Sequence, residues 1–282
     1  MSTNYSLDDL KRYHTEAMRF FAAELALLKD VIPLIKDDRL GKAASLLISS
    51  GQTGAALLQL SAQTDTFTGE ALMLARSFME KATNFCYASI CDEKEYRRFL
   101  LHPVYKHFHN VGSPTMEEDV KMWAKNADAR KKKQEDLKKL PIVQEALALF
   151  SETNSRMNWS KKNLGGKIDA IVEWGKLLDV FFTLNKLEYY SDASEALHGS
   201  LYGSTFHLGM FEPGFYPLDA EVLAKRLHKD SACVLLHQGM LVHECFTLIS
   251  YTEDIREIWD YSYKNRGNAL SLLFHILSKR SP

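Results

Sequence analysis

Ala71-Leu72-Met73-Leu74-Ala75-Arg76-Ser77-Phe78-Met79-Glu80 is the stretch on which the architecture turns. Its apolar residues recur at steps of three and four. Extended in both directions, the pattern predicts a helix over about Thr68 to Cys91 that carries Leu72, Ala75, Phe78, Met79 and Ala82 inward. Arg76 and Glu80 interrupt it four residues apart, on one face of an otherwise apolar helix.

Working outward, the same period recurs almost everywhere. Leu7 to about Lys29 follows a capping-box-like Ser6 and Asp9 and ends before Pro33. Asp38 to about Gln63 contains Gly41, Ala44, Ser45, Gly51, Gly54 and Ala55, small residues that allow a close helix crossing. A fourth helix covers about Asp92 to His109. Ser113-Pro114 is a good helix start for a mostly charged helix reaching Leu140, and Pro141 restarts the chain into Ile142 to Phe150. The polar segment Ser151 to Gly166, with Trp159-Ser160 and Gly165-Gly166, reads as an ordered connection. Helices follow over about Lys167 to Asn185 and Leu187 to Tyr202, then a loop over Gly203 to Pro217. The C-terminal helices cover Asp219 to Tyr263 and Asn268 to Lys279. With only 14 Gly and 7 Pro in 282 residues, there is little turn chemistry for a sheet. The expected fold is all-α, a single multi-helix bundle of about eight to ten helices. Residues 1–282 form one helical domain, with helices of 1–58 and 203–282 packed on a region of about 59–202.

Bulk properties exclude several classes. Hydrophobic residues at 46% and charged residues at 25% rule out a disordered or collagen-like chain. A net charge of −1, from 35 basic and 36 acidic residues, gives no global pull toward nucleic acid or an acidic membrane. The polar start lacks the marks of a signal peptide, and no segment approaches the roughly 18 unbroken apolar residues of a membrane span. Cys86, Cys91, Cys233 and Cys245 fall within helical patterns and make no disulfide framework. The expectation is a soluble protein of a reducing cytoplasm.

Four local patterns suggest chemistry, and each has a plainer explanation. Arg130-Lys131-Lys132-Lys133 with Lys138 and Lys139 could track phosphates, but Glu135 and Asp136 interrupt it, so a solvated helix face ranks ahead of nucleic-acid binding. His228, Cys233, His237, His243 and Cys245 crowd together without a recognised zinc spacing. Glu195-x-x-His198 is half of a ferritin-type dimetal motif, and its required second copy is absent. Arg97 followed by four residues and His102 resembles the signature of helical ribonucleases of toxin and defence systems. Chance accounts for one such match, and Pro103 points to a polar helix end there. No cofactor and no metal are expected.

The strongest pattern pairs Arg76 and Glu80 with Tyr190, Ser194 and His198, the last three at steps of four along one helix stripe. Polar groups on core helices are costly unless they find partners. The two stripes can satisfy one another, Glu80 with Arg76, and His198 or Tyr190 with Glu80. These segments, with Trp159-Ser160 between them, resemble an uncharacterised bacterial all-helical family, domain of unknown function 5677. Its pattern is Leu-x-Arg-x-x-x-Glu, then Trp-Ser, then Tyr-x-x-x-Ser-x-x-x-His-Gly or His-Pro. The resemblance covers roughly Gln59 to Tyr202 and implies no activity.

Two functions follow from these stripes. In the first, Arg76, Glu80, Tyr190, Ser194 and His198 are a buried network fixing helix register in an interaction module, its protein partner met by the charged helix Thr115 to Leu140 or the loop Gly203 to Pro217. In the second, they are the active site of a metal-independent ribonuclease-like enzyme. There His198 is the general acid or base, Arg76 the anion holder, Glu80 its orienter, and Tyr190 and Ser194 donors. A metal-binding bundle comes third. Burial separates them: a sealed, mutually paired cluster favours the first, an open one the second.

Overall fold

The computed structural model describes residues 15, 18–19, 21–22, 25–26, 29, 32–35, 38–62, 68–110, 127–152, 158–173, 182 and 190–198. No strand occurs among them, and the fold is all-α. Seven α-helices are described, fewer than the eight to ten expected: α1 (Asp38–Ser61), α2 (Thr68–Ile90), α3 (Glu93–His109), α4 (Ala127–Lys138), α5 (Pro141–Phe150), α6 (Leu164–Val172) and α7 (Ser191–His198). The described residues between 15 and 29 are also helical, and Pro33 lies in a 3-10 turn at Ile32–Leu34. The expected capping box at Ser6, the loop Gly203 to Pro217 and the C-terminal helices lie outside the described residues. The described residues fall into two compact units, one drawn from Met1–Ser89 and Leu164–Pro282, the other from Ile90–Asn163.

In the first unit, α2 behaves as its spacing predicts. Leu72, Ala75, Phe78, Met79 and Ala82 are all buried, and Phe85 and Cys86 continue the stripe. The close approach expected of α1 is realised at Gly54. A Cβ built there would lie 2.6 Å from Phe21 Cζ and 3.1 Å from Phe78 Cε2. Gly41 is different, since its nearest neighbour would be Ile35 Cγ2 at 3.9 Å. Helix α6 starts three residues earlier than expected, so Gly165 and Gly166 lie inside its first turn and not in the connection. Lys167, expected as the first helical residue, lies in the fourth position of α6 and is buried.

The second unit packs α3 on α5 through Leu101, Tyr105, Ala146 and Phe150, with the Tyr105 and Phe150 rings stacked at 4.5 Å. Asp92 caps α3, its side chain accepting from the Glu95 N–H at 2.8 Å. Pro141 opens α5 at the position where its missing N–H costs nothing. Helix α3 runs to His109 as its pattern predicts, with Pro103 inside it, so His102 is an interior helix residue and the polar helix end expected at that point is not found. The proline ring is exposed, and its lack of an N–H leaves the Phe99 carbonyl without its i+4 donor.

Fork-shaped pairing ties α3 to α5 at the surface. Arg97 donates to Glu145 through Nε at 2.5 Å and Nη2 at 2.6 Å. That hydrogen bond, helped by the Arg97 charge, holds the Glu145 carboxyl below the usual glutamate range. Glu152 is lowered likewise by bonds from Lys161 and Lys94.

Two predictions follow from this packing. Gly54→Ala gains about 1 kcal/mol of helix propensity but forces Phe21 or Phe78 to move. A net loss of about 1 to 2 kcal/mol is expected in urea unfolding, whereas Gly41→Ala, which meets no obstacle, is neutral or stabilising. The second concerns pH. A carboxyl whose folded pKa lies below its unfolded value adds stability above the unfolded value, near 4.5, and loses it as pH falls through the folded value. The melting temperature should therefore hold down to about pH 5 and drop below it. The Glu145→Gln, Glu152→Gln double variant should flatten that drop, as should high salt.

Candidate functional site

Arg76 is the hub of the site. It projects from the middle of α2, with Ala75 on one side of it in the core and Glu80 one turn further on. Its Nε donates to Glu80 Oε1 at 2.9 Å. Its Nη1 donates to Ser194 Oγ on α7 at 2.9 Å and lies 3.3 Å from His198 Nε2. The guanidinium carbon sits 5.1 Å from the centre of the Tyr190 ring, a cation–π distance. A bond from Nη1 to His198 requires Nε2 to be the bare nitrogen, with the ring proton on Nδ1.

All five residues singled out from the sequence therefore meet, with Glu80 paired to Arg76 as expected and the remaining pairing different. Neither His198 nor Tyr190 is bonded to Glu80, and both lie against Arg76. The physical reason is donor supply. A carboxylate only accepts, whereas the guanidinium offers five N–H donors in a rigid fork and a flat face for an aromatic ring. Helix α7 makes this possible by burying Ala193 and Ala196, which turns Ser194 and His198 toward Arg76 on the adjoining stripe.

The cluster is neither sealed nor open throughout. The Arg76 side chain keeps 13% of its exposure and Glu80 keeps 40%, while His198 is exposed and Ser194 and Tyr190 are half-buried. The cationic centre is thus inside and the imidazole lies at the rim.

Trp159-Ser160 belongs to the other unit and holds a charge that the sequence did not single out. Arg98 is fully buried, and its Nε donates to the Trp159 carbonyl at 3.2 Å. Its Nε also lies 3.8 Å from Glu95 Oε1, and its guanidinium lies over the Phe150 ring at 4.9 Å. Glu95 accepts from the Lys161 N–H at 3.3 Å, and Ser160 Oγ accepts from the Lys162 N–H at 3.0 Å. The Trp159 ring meets Phe99 edge-on at 5.3 Å. Only the i, i+3 spacing of Glu95 and Arg98 on a half-apolar helix signalled this pair.

The remaining candidates separate cleanly. Arg97 is taken up by Glu145, and His102 sits 5.6 Å from the Phe150 ring, so the two make no common site. Lys131, Lys132, Lys133, Lys138 and Lys139 are exposed together with Glu135 and Asp136, and Lys139 is paired to Asp136 at 2.8 Å. Among the described residues no group of three or more His, Cys, Asp or Glu could hold a metal ion. His228, Cys233, His237, His243 and Cys245 lie outside the described residues. No described helix is long and apolar enough to cross a membrane.

Residues 43–215, more than half of the chain, match the model of a Family of unknown function (DUF5677). That span contains Arg76, Glu80, Trp159, Ser160, Tyr190, Ser194 and His198. No curated protein and no solved structure matches the chain.

The buried Arg98 gives a direct test of the Trp159 seat. Arg98→Ala strands Glu95 without its cation and should cost about 3 kcal/mol or more in urea unfolding. Arg98→Met combined with Glu95→Gln should recover much of that loss, because no uncompensated charge is then left inside.

Proposed function

The chain belongs to the family of unknown function DUF5677, and from that premise we propose that it is a helical interaction module whose Arg76 network sets the register of α2 against α7. The observation that supports this most is the placement of Arg76. Its side chain is largely buried, and its bonds run to Glu80 on its own helix and to Ser194 on another. A guanidinium engaged in this way is chiefly a cross-link, since each charge-assisted hydrogen bond it makes is worth about 1.5 to 3 kcal/mol. The exposed, mixed-charge face of α4 is the surface offered to a protein partner. Cys86 is a buried free thiol, the state a reducing cytoplasm maintains.

A second function rests on a different observation, the exposure of His198 beside a cation. In a metal-independent hydrolase acting on RNA or nucleotide phosphates, His198 would take the proton of an attacking 2′-hydroxyl. Arg76 would neutralise charge on the phosphate, Glu80 would hold Arg76, and Ser194 and Tyr190 would donate.

Two substitutions separate the two functions. For the module, Arg76→Ala lowers unfolding free energy by about 2 kcal/mol, His198→Ala changes it by under about 1 kcal/mol, and total RNA stays intact with every variant and the wild type. For the enzyme, the wild type degrades RNA, and His198→Ala abolishes that activity with an unchanged melting temperature. That second pattern would sink the module.

A further inference from the structure

A second polar group on α2 stands apart from the Arg76 cluster. Lys81 and Asn84, three residues apart, share a helix face, and both are half-buried. Lys81 Nζ donates to Thr53 Oγ1 on α1 at 2.6 Å, and the Thr53 hydroxyl in turn donates to the Ser49 carbonyl at 3.0 Å. Lys167 Nζ, from α6, donates to Asn84 Oδ1 at 2.6 Å although Lys167 is only 5% exposed. Three helices thus bring two ammonium groups to one stripe of α2.

The hydrogen-bond inventory of this stripe is one-sided. An ammonium carries three donors, and Thr53 takes one of those on Lys81. Asn84 presents its oxygen to Lys167, which turns its NH₂ group, with two more donors, away from that ammonium. No carboxylate pairs with Lys81 among the described residues, and Glu80, its neighbour in the chain, is bonded to Arg76. A half-buried cation whose bond goes to a neutral hydroxyl keeps its charge available to a ligand. The partner that this arrangement lacks is one that only accepts and carries negative charge.

We propose that Lys81 and Asn84 bind a small phosphate-type oxyanion, either inorganic phosphate or the phosphate of a monoester. Lys81 supplies the charge and Asn84 a second donor, so that different oxygens of one anion are engaged. Thr53 aims Lys81, and Lys167 fixes Asn84 while adding positive potential from the low-dielectric side. The site is independent of the Arg76 network and stands whether or not that network is a register lock.

Calorimetric titration of the full chain with inorganic phosphate tests this. Saturable binding is expected in the wild type. Lys81→Met should weaken it by about tenfold or more, Lys81→Arg should retain it, and Lys131→Met, on the exposed face of α4, should leave it unchanged. Asn84→Asp guards against a folding artefact. It keeps, and charges, the acceptor for Lys167, so the chain should melt no lower than the wild type while phosphate binding is lost. Adenosine monophosphate binding more tightly than phosphate at the same site would identify a monoester as the ligand, and weaker binding would identify the free anion. Absence of saturable binding in the wild type overturns the proposal. Binding that survives both Lys81→Met and Asn84→Asp, or falls equally with Lys131→Met, overturns it as well.

Discussion

A guanidinium that loses most of its water must be given acceptors, and the supply of acceptors to Arg76 constrains everything around it. Glu80 comes from the same helix one turn on, which costs no long-range organisation. Ser194 and His198 come from α7, which must arrive at one rotation and one height for both to reach Nη1. A shift of α7 by one residue would turn Ser194 away by about 100° and leave a mostly buried cation short of a partner. The apolar contacts of Ala193 and Ala196 are far less particular, since alanines tolerate sliding. Polar geometry therefore selects among packings that hydrophobic burial alone would leave nearly equal.

The same logic is repeated in the other unit with different parts. Arg98 sits on the inner face of α3, and its acceptor is a backbone carbonyl, that of Trp159, on a connection without regular structure. The connection is held in turn by its own N–H groups: Lys161 to Glu95, and Lys162 to Ser160. An irregular segment is thereby given the fixed shape that a helix obtains from its internal ladder. In both units one arginine organises chain that periodicity does not.

The local structure was largely written in the sequence. The steps of three and four from Leu72 to Ala82 became the buried stripe of α2, Asp92 became a cap, and Pro141 became a helix start. The polar stripe of Tyr190, Ser194 and His198 was equally plain, because helical spacing is a local property. What escaped was the choice of partner. That Arg76 and not Glu80 would be the centre depends on which donors face which acceptors across a packed interface. That Arg98 would rest on the Trp159 carbonyl leaves no mark in residue type, since every residue has a carbonyl. One helix start, at Gly165-Gly166, was misplaced, and Pro103 was given too much weight as a local helix end, for a related reason. Gly165-Gly166 and Pro103 carry local penalties of about 1 to 3 kcal/mol, and burial of Ile168 and Ile171 on α6 and of the α3–α5 core offsets them.

The bond from Arg76 to Ser194 spans 118 residues of chain, and Arg97 to Glu145 spans 48. The unit of Ile90–Asn163 lies wholly within the longer interval. Closing a long flexible loop costs more entropy than closing a short one, and a folded segment within the interval shortens the part that remains flexible. Order in the middle of the chain thus brings its two distant parts within reach. The contact that fixes α7 against α2 thus carries a larger closure cost than the one that ties α3 to α5.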